Sequence, residues 1–147
     1  MTRLLFIGDI VGRPGRELVR RGLPPLVSRY AIDLVIANVE NAAAGFGITP
    51  DLADDFIAYG VQVMTGGNHT WDKKEILSYI PEQPRLLRPA NLPAGAPGRG
   101  SVLVRTKSGT PVAVVTIMGR GFMTALDDPF PAVLADVASV ASVGRIL

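Results

Sequence analysis

The sequence predicts an α/β fold in which helices flank a mixed, mostly parallel sheet, and three observations predict it. Short apolar runs alternate with helix-like stretches in the order βαβαβ along the N-terminal half. Each run is continuous rather than alternating and is closed by a turn signal, the pattern of strands covered on both faces. The chain has 147 residues, of which 48% are apolar and 19% charged, enough for one core and too few charges for a disordered or coiled-coil chain. No repeat or internal boundary divides it, so residues 1–147 read as a single domain.

Leu4 to Ile7 is the first strand, closed by Gly8-Asp9. A helix from Pro14 to about Gly22 follows, then a second strand from Leu34 to Val39 that ends in Glu40-Asn41. The next helix has the clearest boundaries: Thr49 as N-cap, Pro50 at the first helical position, Tyr59 at the end and Gly60 as C-cap. Val61 to Thr65 is the third strand, closed by Gly66-Gly67. Asp72 followed by Glu75 resembles a capping box opening a third helix through about Tyr79, which Pro81 stops.

Pro81 to Gly100 is a proline- and glycine-rich connection. Ser101 to Thr106 and Val112 to Met118 flank the turn-like Lys107-Ser108-Gly109-Thr110 and predict a β-hairpin, which is why the sheet is expected to be mixed. Phe130, Val133, Leu134, Val137 and Ala141 stand at helical spacing and predict a last helix ending at Gly144.

Composition excludes several classes. There is no cysteine, hence no disulfide framework, thiolate metal site or cysteine nucleophile. The formal charge is only +2, and Arg20-Arg21 and Lys73-Lys74 are the only adjacent basic pairs, which argues against a nucleic-acid surface. The N-terminus runs straight into a strand without signal-peptide features, and no stretch approaches the ~20 apolar residues of a membrane span, so a cytoplasmic protein without a membrane partner is expected.

Three successive predicted strands finish in oxygen or nitrogen donors: Asp9 after the first, Glu40 and Asn41 after the second, Asn68 and His69 after the third. Ligands of open parallel sheets bind outside the carboxyl ends of the strands, so these side chains can converge. Carboxylates with amide oxygens form a hard donor set suited to Mn, Mg or Fe, and Asp9 could bridge two ions lying ~3.5–4 Å apart. Such a pair would clamp a phosphate, and His69 beside Asn68 could protonate a departing alkoxide. Gly66 and Gly67 would let backbone approach the cluster.

Taken singly, each residue has a plainer reading. Asp9 could be a turn or cap residue, Glu40-Asn41 the start of a solvated loop, and His69, the only histidine, a structural or surface residue. Their joint occurrence at three consecutive strand ends favours the functional reading. Gly8, Gly12 and Gly15 form GxxxGxxG, not the GxGxxG dinucleotide fingerprint, which leaves a Rossmann-like binder as a third reading. Arg13 and Arg16 could touch an anion at the helix N-terminus, though solvated arginines describe them better. Arg85, Arg88, Asn91 and Trp71 could wall a pocket, or serve packing and loop solvation.

The segments LFIGDIVGRPGR (Leu5 to Arg16), NVENAAAGFGITP (Asn38 to Pro50), TGGNHTWDKKEI (Thr65 to Ile76), LLRPAN (Leu86 to Asn91), PGRG and MGRGFM together resemble the YmdB-like phosphodiesterase family of bacterial metallophosphoesterases. The likeness covers roughly Leu4 to Phe130. It implies a calcineurin-like fold of two sheets sandwiched between helices. It also implies a di-iron or di-manganese centre, with magnesium an alternative, that hydrolyses phosphodiesters including 2′,3′-cyclic nucleotides, in chains that usually form oligomers. By position in the matching motifs, Asp9, Glu40, Asn41 and Asn68 correspond to metal ligands and His69 to the acid near the leaving group.

The sequence departs from that pattern. Family members continue through an Asp-Phe-His-Ala-Glu-like and a Gly-Thr-His-Thr-His-like motif that supply imidazole ligands, and this chain has neither. Val39 stands where the family usually has glycine, and Asp136 to Leu147 carries no family signature. The chain therefore reads as a partial, C-terminally truncated sandwich. Two octahedral ions need about a dozen donor positions, less those that bridges and waters provide, more than Asp9, Glu40, Asn41 and Asn68 fill. Two functions follow as expectations: a metal-dependent phosphodiesterase whose isolated chain has doubtful activity, or an inactive α/β fragment that binds metal or nucleotide weakly or serves assembly.

Overall fold

The computed structural model describes residues 1–123 and 126–141. Its elements are β1 (Leu4–Ile7), α1 (Gly12–Tyr30), β2 (Leu34–Asn38), α2 (Pro50–Tyr59), β3 (Val63–Thr65), α3 (Ile76–Tyr79), β4 (Leu86–Leu87), β5 (Ser101–Arg105), β6 (Pro111–Val115) and α4 (Pro129–Ala141). β1 to β4 form one sheet in sequence order with every neighbouring pair parallel. β5 and β6 pair antiparallel as a second sheet, and an isolated bridge between Leu87 and Arg99 ties β4 to the segment that leads into β5. The expected parallel and antiparallel strands are both present, divided between two sheets rather than mixed in one.

Alternation along β2 explains the layering, because successive side chains of a strand point to opposite faces. Val35 and Ala37 face the helices, where they join Val19 and Leu23 of α1, Phe56 of α2 and Met64 in one buried cluster. Leu34 and Ile36 face the other way and, with Val63 and Leu87, pack against Val112 and Val114 of β6. The result is helices, parallel sheet and hairpin stacked in that order. β1 lies at the sheet edge, where Leu4 and Phe6 pair in register with Leu34 and Ile36. They continue the hairpin-facing surface beyond the hairpin, and Phe6 is 61% exposed.

α1 runs past the expected stop at Gly22 to Tyr30, with Pro24 and Pro25 inside it. Two prolines remove the N–H groups that would bond the carbonyls of Arg20 and Arg21. The stripe of Val19, Leu23 and Val27, spaced four apart, keeps its apolar face on the sheet and offsets that loss. The helix ends at Ala31, whose left-handed φ of 48° lets its N–H reach the carbonyls of Val27 and Ser28.

α2 has the predicted limits: Thr49 Oγ1 accepts from the Leu52 N–H at 3.3 Å, and Gly60 closes the helix at φ 104°. α3 is a single turn without a side-chain cap, because Asp72 turns to His69 instead of capping. The two-residue strand β4, inside what reads as a proline- and glycine-rich connection, is an addition to the expected elements. The expected end of the last helix at Gly144 lies outside the described residues. Among the described residues, no helix is long and apolar enough to cross a membrane.

Candidate active site

The loops after β1, β2 and β3 are stitched together by backbone hydrogen bonds. The Ile10 N–H donates to the Asn38 carbonyl at 3.2 Å, Gly12 to Asn41 at 3.0 Å, and Val39 to Thr65 at 3.0 Å. This lacing holds the three carboxyl ends side by side. Among the described residues strand order never reverses in this sheet, so they form no switch-point crevice. A pocket of about 360 Å³ opens instead between the sheet's carboxyl ends (Asn38, Glu40, Thr65 to Asn68) and the segment Val115 to Gly119 that leaves β6, with Phe6 beside it.

The predicted donors fall into two adjoining groups linked by the Glu40–Asn41 peptide. In the first, exposed Asp9 accepts a hydrogen bond from Asn41 Nδ2 at 2.8 Å, which leaves the Asn41 Oδ1 lone pairs available. In the second, Glu40 and Asn68 line the pocket. Asn38 Nδ2 donates to Glu40 Oε1 at 3.2 Å, and the His69 N–H donates to Glu40 Oε2 at 3.3 Å. Neither Asp9 nor Asn41 lines that pocket, so the structure brings the four residues together as two pairs, Asp9 with Asn41 and Glu40 with Asn68, rather than as walls of one cavity.

Gly67 is the close-approach glycine of the pair expected to matter. A Cβ built on it would land on both carboxylate oxygens of Glu40 and 2.5 Å from Cδ. Gly66 is equally crowded, against Thr70 Oγ1 and the Leu87 carbonyl. Both allow the β3 loop to fold down over Glu40, and Thr70 Oγ1, donating to the Gly67 carbonyl at 2.7 Å, fixes the turn.

Hard oxygen-seeking cations fit this donor set. Two carboxylates and two amide oxygens sit at adjoining strand ends, and the buried Thr116 Oγ1, on the same pocket, has no partner among the described residues. The set is partial. Among the described residues no group of three or more His, Cys, Asp and Glu side chains assembles. The chain's one histidine bonds Asp72 through Nδ1 at 2.6 Å.

Other residues singled out in the sequence take structural roles. Arg16 Nη1 donates to the Ala42 carbonyl at 2.6 Å and so braces the loop after Asn41 instead of reaching for an anion. The Gly12 N–H is taken by the Asn41 carbonyl, not open to a phosphate. Buried Asn91 donates to the carbonyls of Met118 and Asp127 and accepts from the Met118 N–H. Arg88 donates to the Pro89 carbonyl; its burial pulls the guanidinium pKa down, opposed by Asp136. Trp71 packs on the main core, Arg13 and Arg85 are exposed, and none of these residues lines the pocket.

Sequence reading passed over Asn38, Asp72 and Phe46. Asn38 and Phe46 lie inside the segment NVENAAAGFGITP, and Asp72, three residues from His69, has the spacing of a helix cap. Phe46 meets the His69 ring edge-on at 5.2 Å between centroids.

Three-layer architecture and donors at parallel strand ends define an α/β domain of the metallophosphoesterase type. The chain belongs to the YmdB-like protein family, whose model matches residues 5–146. It is 48% identical over 128 residues to a 2′,3′-cyclic-nucleotide 2′-phosphodiesterase of Bacillus subtilis, an alignment covering 87% of this chain and 48% of that protein. Two crystal structures superpose with a TM-score of 0.86. A hypothetical protein from Thermus thermophilus is 41% identical, with 93% of this chain and 53% of that one covered. A novel phosphatase from Mycoplasma pneumoniae is 28% identical, with 94% and 51% covered. The chain thus spans about half the length of the relatives it matches.

Proposed function

We propose that this chain carries metal ligands and the proton donor of a phosphodiesterase acting on small phosphodiesters such as 2′,3′-cyclic nucleotides. The observation that supports the reading is that the ends of β1, β2 and β3 are laced together, with Asn41 bonded to Asp9 and with Glu40 and Asn68 on one pocket. The Bacillus relative's activity supports the substrate class.

Asp9, Glu40, Asn41 and Asn68 would hold two divalent ions, iron or manganese, with magnesium an alternative. When bound, such ions neutralise phosphate charge and lower the pKa of water. Asn38 and the His69 N–H fix the Glu40 carboxylate, and Gly67 makes room for it. The His69 ring supplies the proton to the departing oxygen.

The purified chain, loaded with manganese, is expected to hydrolyse 2′,3′-cyclic AMP, and Asp9→Asn to abolish the activity. No bound metal and no turnover would overturn the proposal. A second reading is favoured by the partial donor set and the single histidine tied to Asp72: a non-catalytic module that binds metal or nucleotide weakly. It predicts saturable manganese binding without turnover. Exposed Leu4, Phe6 and Leu103 support homo-oligomers under either reading.

A further inference from the structure

We propose that β1 pairs antiparallel with β1 of a second copy of this chain, so that the two parallel sheets join edge to edge about a twofold axis at Phe6. The two edges of the sheet are protected differently. β4 has only two residues and an isolated bridge to Arg99 beside it. β1 runs from Leu4 to Ile7 with no charge or proline, and among the described residues nothing pairs with its outer side. An apolar edge left open in this way is a template for another strand.

Both layers beside that edge are apolar as well. On the hairpin-facing side Leu4 and Phe6 are exposed. On the helix side a groove of about 260 Å³ runs between β1 and α1, lined by apolar residues and glycine, among them Leu5, Ile7, Leu18, Gly22 and Leu26. Leu18, Gly22, Leu26 and Tyr30 recur every four residues and so share one stripe of α1, whose three large side chains are exposed. Of the arginines flanking the stripe, Arg21 is bonded to Glu17 and Arg29 lies over the Tyr30 ring. The surface thus fits a strand apolar on both faces with an apolar helix stripe behind it. β1 and α1 of a second copy are that pair.

Backbone bonding and charge select the register. The Arg3 carbonyl accepts from the Leu34 N–H of β2 at 3.4 Å. Along a parallel ladder alternate residues bond one neighbour, so Leu5 and Ile7 turn their backbone groups to β2 while Leu4 and Phe6 turn theirs outward. Outward groups meet when Phe6 lies opposite Phe6 of the second copy, or when Leu4 does. The first register brings Arg3, just before the strand, opposite Asp9, just after it, and sets two aromatic rings side by side. The second sets Arg3 against apolar Ile7. Charge complementarity favours the first.

The chain has no cysteine, so single introduced cysteines report the contact. Residues directly opposed in a bonded antiparallel pair lie ~5.5 Å apart between Cα atoms, within the span of a disulfide. Phe6→Cys is therefore expected to form a covalent dimer on air oxidation at least about tenfold faster than Leu4→Cys, which lies opposite Gly8 rather than its own copy. Equal rates, or faster linking of Leu4→Cys, overturn the proposal.

Sedimentation velocity of the unmodified chain at micromolar concentration is expected to show a dimer. Gly22→Glu tests the helix side, because a Cβ there meets nothing within 4 Å and the chain's own fold has room for the change. Phe6→Lys tests the strand. Each should weaken the dimer by at least about 100-fold, since like charges would meet across the interface, whereas Phe130→Lys on α4 should leave it unchanged. Circular dichroism checks that each variant folds. A monomeric wild type, or a dimer that survives both Gly22→Glu and Phe6→Lys, overturns the proposal. A monomer that instead carries a different polypeptide, released by Gly22→Glu, assigns the surface to a foreign strand and equally overturns self-pairing.

Discussion

Replacing Gly67 by alanine should separate the stability of the fold from the integrity of the site. The added methyl would occupy the space of the Glu40 carboxylate, and that carboxylate, at the end of a flexible side chain, is what yields. Swinging away forfeits the bonds from Asn38 Nδ2 at 3.2 Å and the His69 N–H at 3.3 Å. Hydrogen bonds to a charged group contribute ~1.5–3 kcal/mol each when buried. Both of these are part-buried and water can replace them, so the pair together is set at ~1–2 kcal/mol. For a domain of this size that lowers Tm by about 3–6 °C.

Manganese affinity should fall far more, by at least about tenfold, because a displaced ligand costs a metal site its geometry. Gly100→Ala is the control: its methyl would strike the Cα of Ala90 and lie 2.9 Å from the Ala90 nitrogen. Backbone cannot swing aside, so that variant should lose more stability than Gly67→Ala if it folds. Thermal melts and calorimetric manganese titration of the two variants decide the matter. Unchanged manganese affinity in Gly67→Ala would refute the placement of Glu40 in a metal shell.

Further outcomes follow from the framework around the site. Thr49→Ala removes the acceptor for the Leu52 N–H and should cost ~0.5–2 kcal/mol in urea unfolding. Pro25→Ala restores a donor for the Arg21 carbonyl within α1 and should raise stability by ~1–3 kcal/mol, read as a higher unfolding midpoint. Tyr79 has its pKa raised from the ordinary 10.0, first by burial and then by its hydrogen bond to Asp54. The folded state thus holds that proton more tightly than the unfolded one. The stability it contributes is complete below pH ~10 and fades as pH climbs through the raised value. In alkaline denaturation, Tyr79→Phe should show a shallower decline than wild type.

Sequence patterns revealed this fold where local chemistry and tertiary packing demand the same thing. Thr49, Pro50 and Gly60 mark α2 because cap, ring and left-handed terminus are each satisfied within a few residues. Runs such as Leu34 to Asn38 disclose buried strands because both faces are covered. Long-range packing decides the rest. α1 passes through Pro24 and Pro25 because Leu23 and Val27 have a sheet to lie on, which local propensity does not register. β4 has only two residues, stabilised by pairing with Met64 and Thr65, too short for any periodicity.

The donor positions are legible as polar residues closing successive strands, since parallel order brings those ends together. Asp72 is ambiguous in sequence because three-residue spacing suits both a capping box and an acceptor for His69. Only the turn held by Gly47 and Thr70 selects the second.

The proposed site requires oxygens of Asp9, Glu40, Asn41 and Asn68 to bind the same pair of cations. An anomalous difference map from crystals soaked in manganese tests it directly. Peaks within ~2.0–2.6 Å of oxygens from these four residues are predicted. Manganese bound elsewhere on the surface, with these oxygens free at saturating metal, would contradict it.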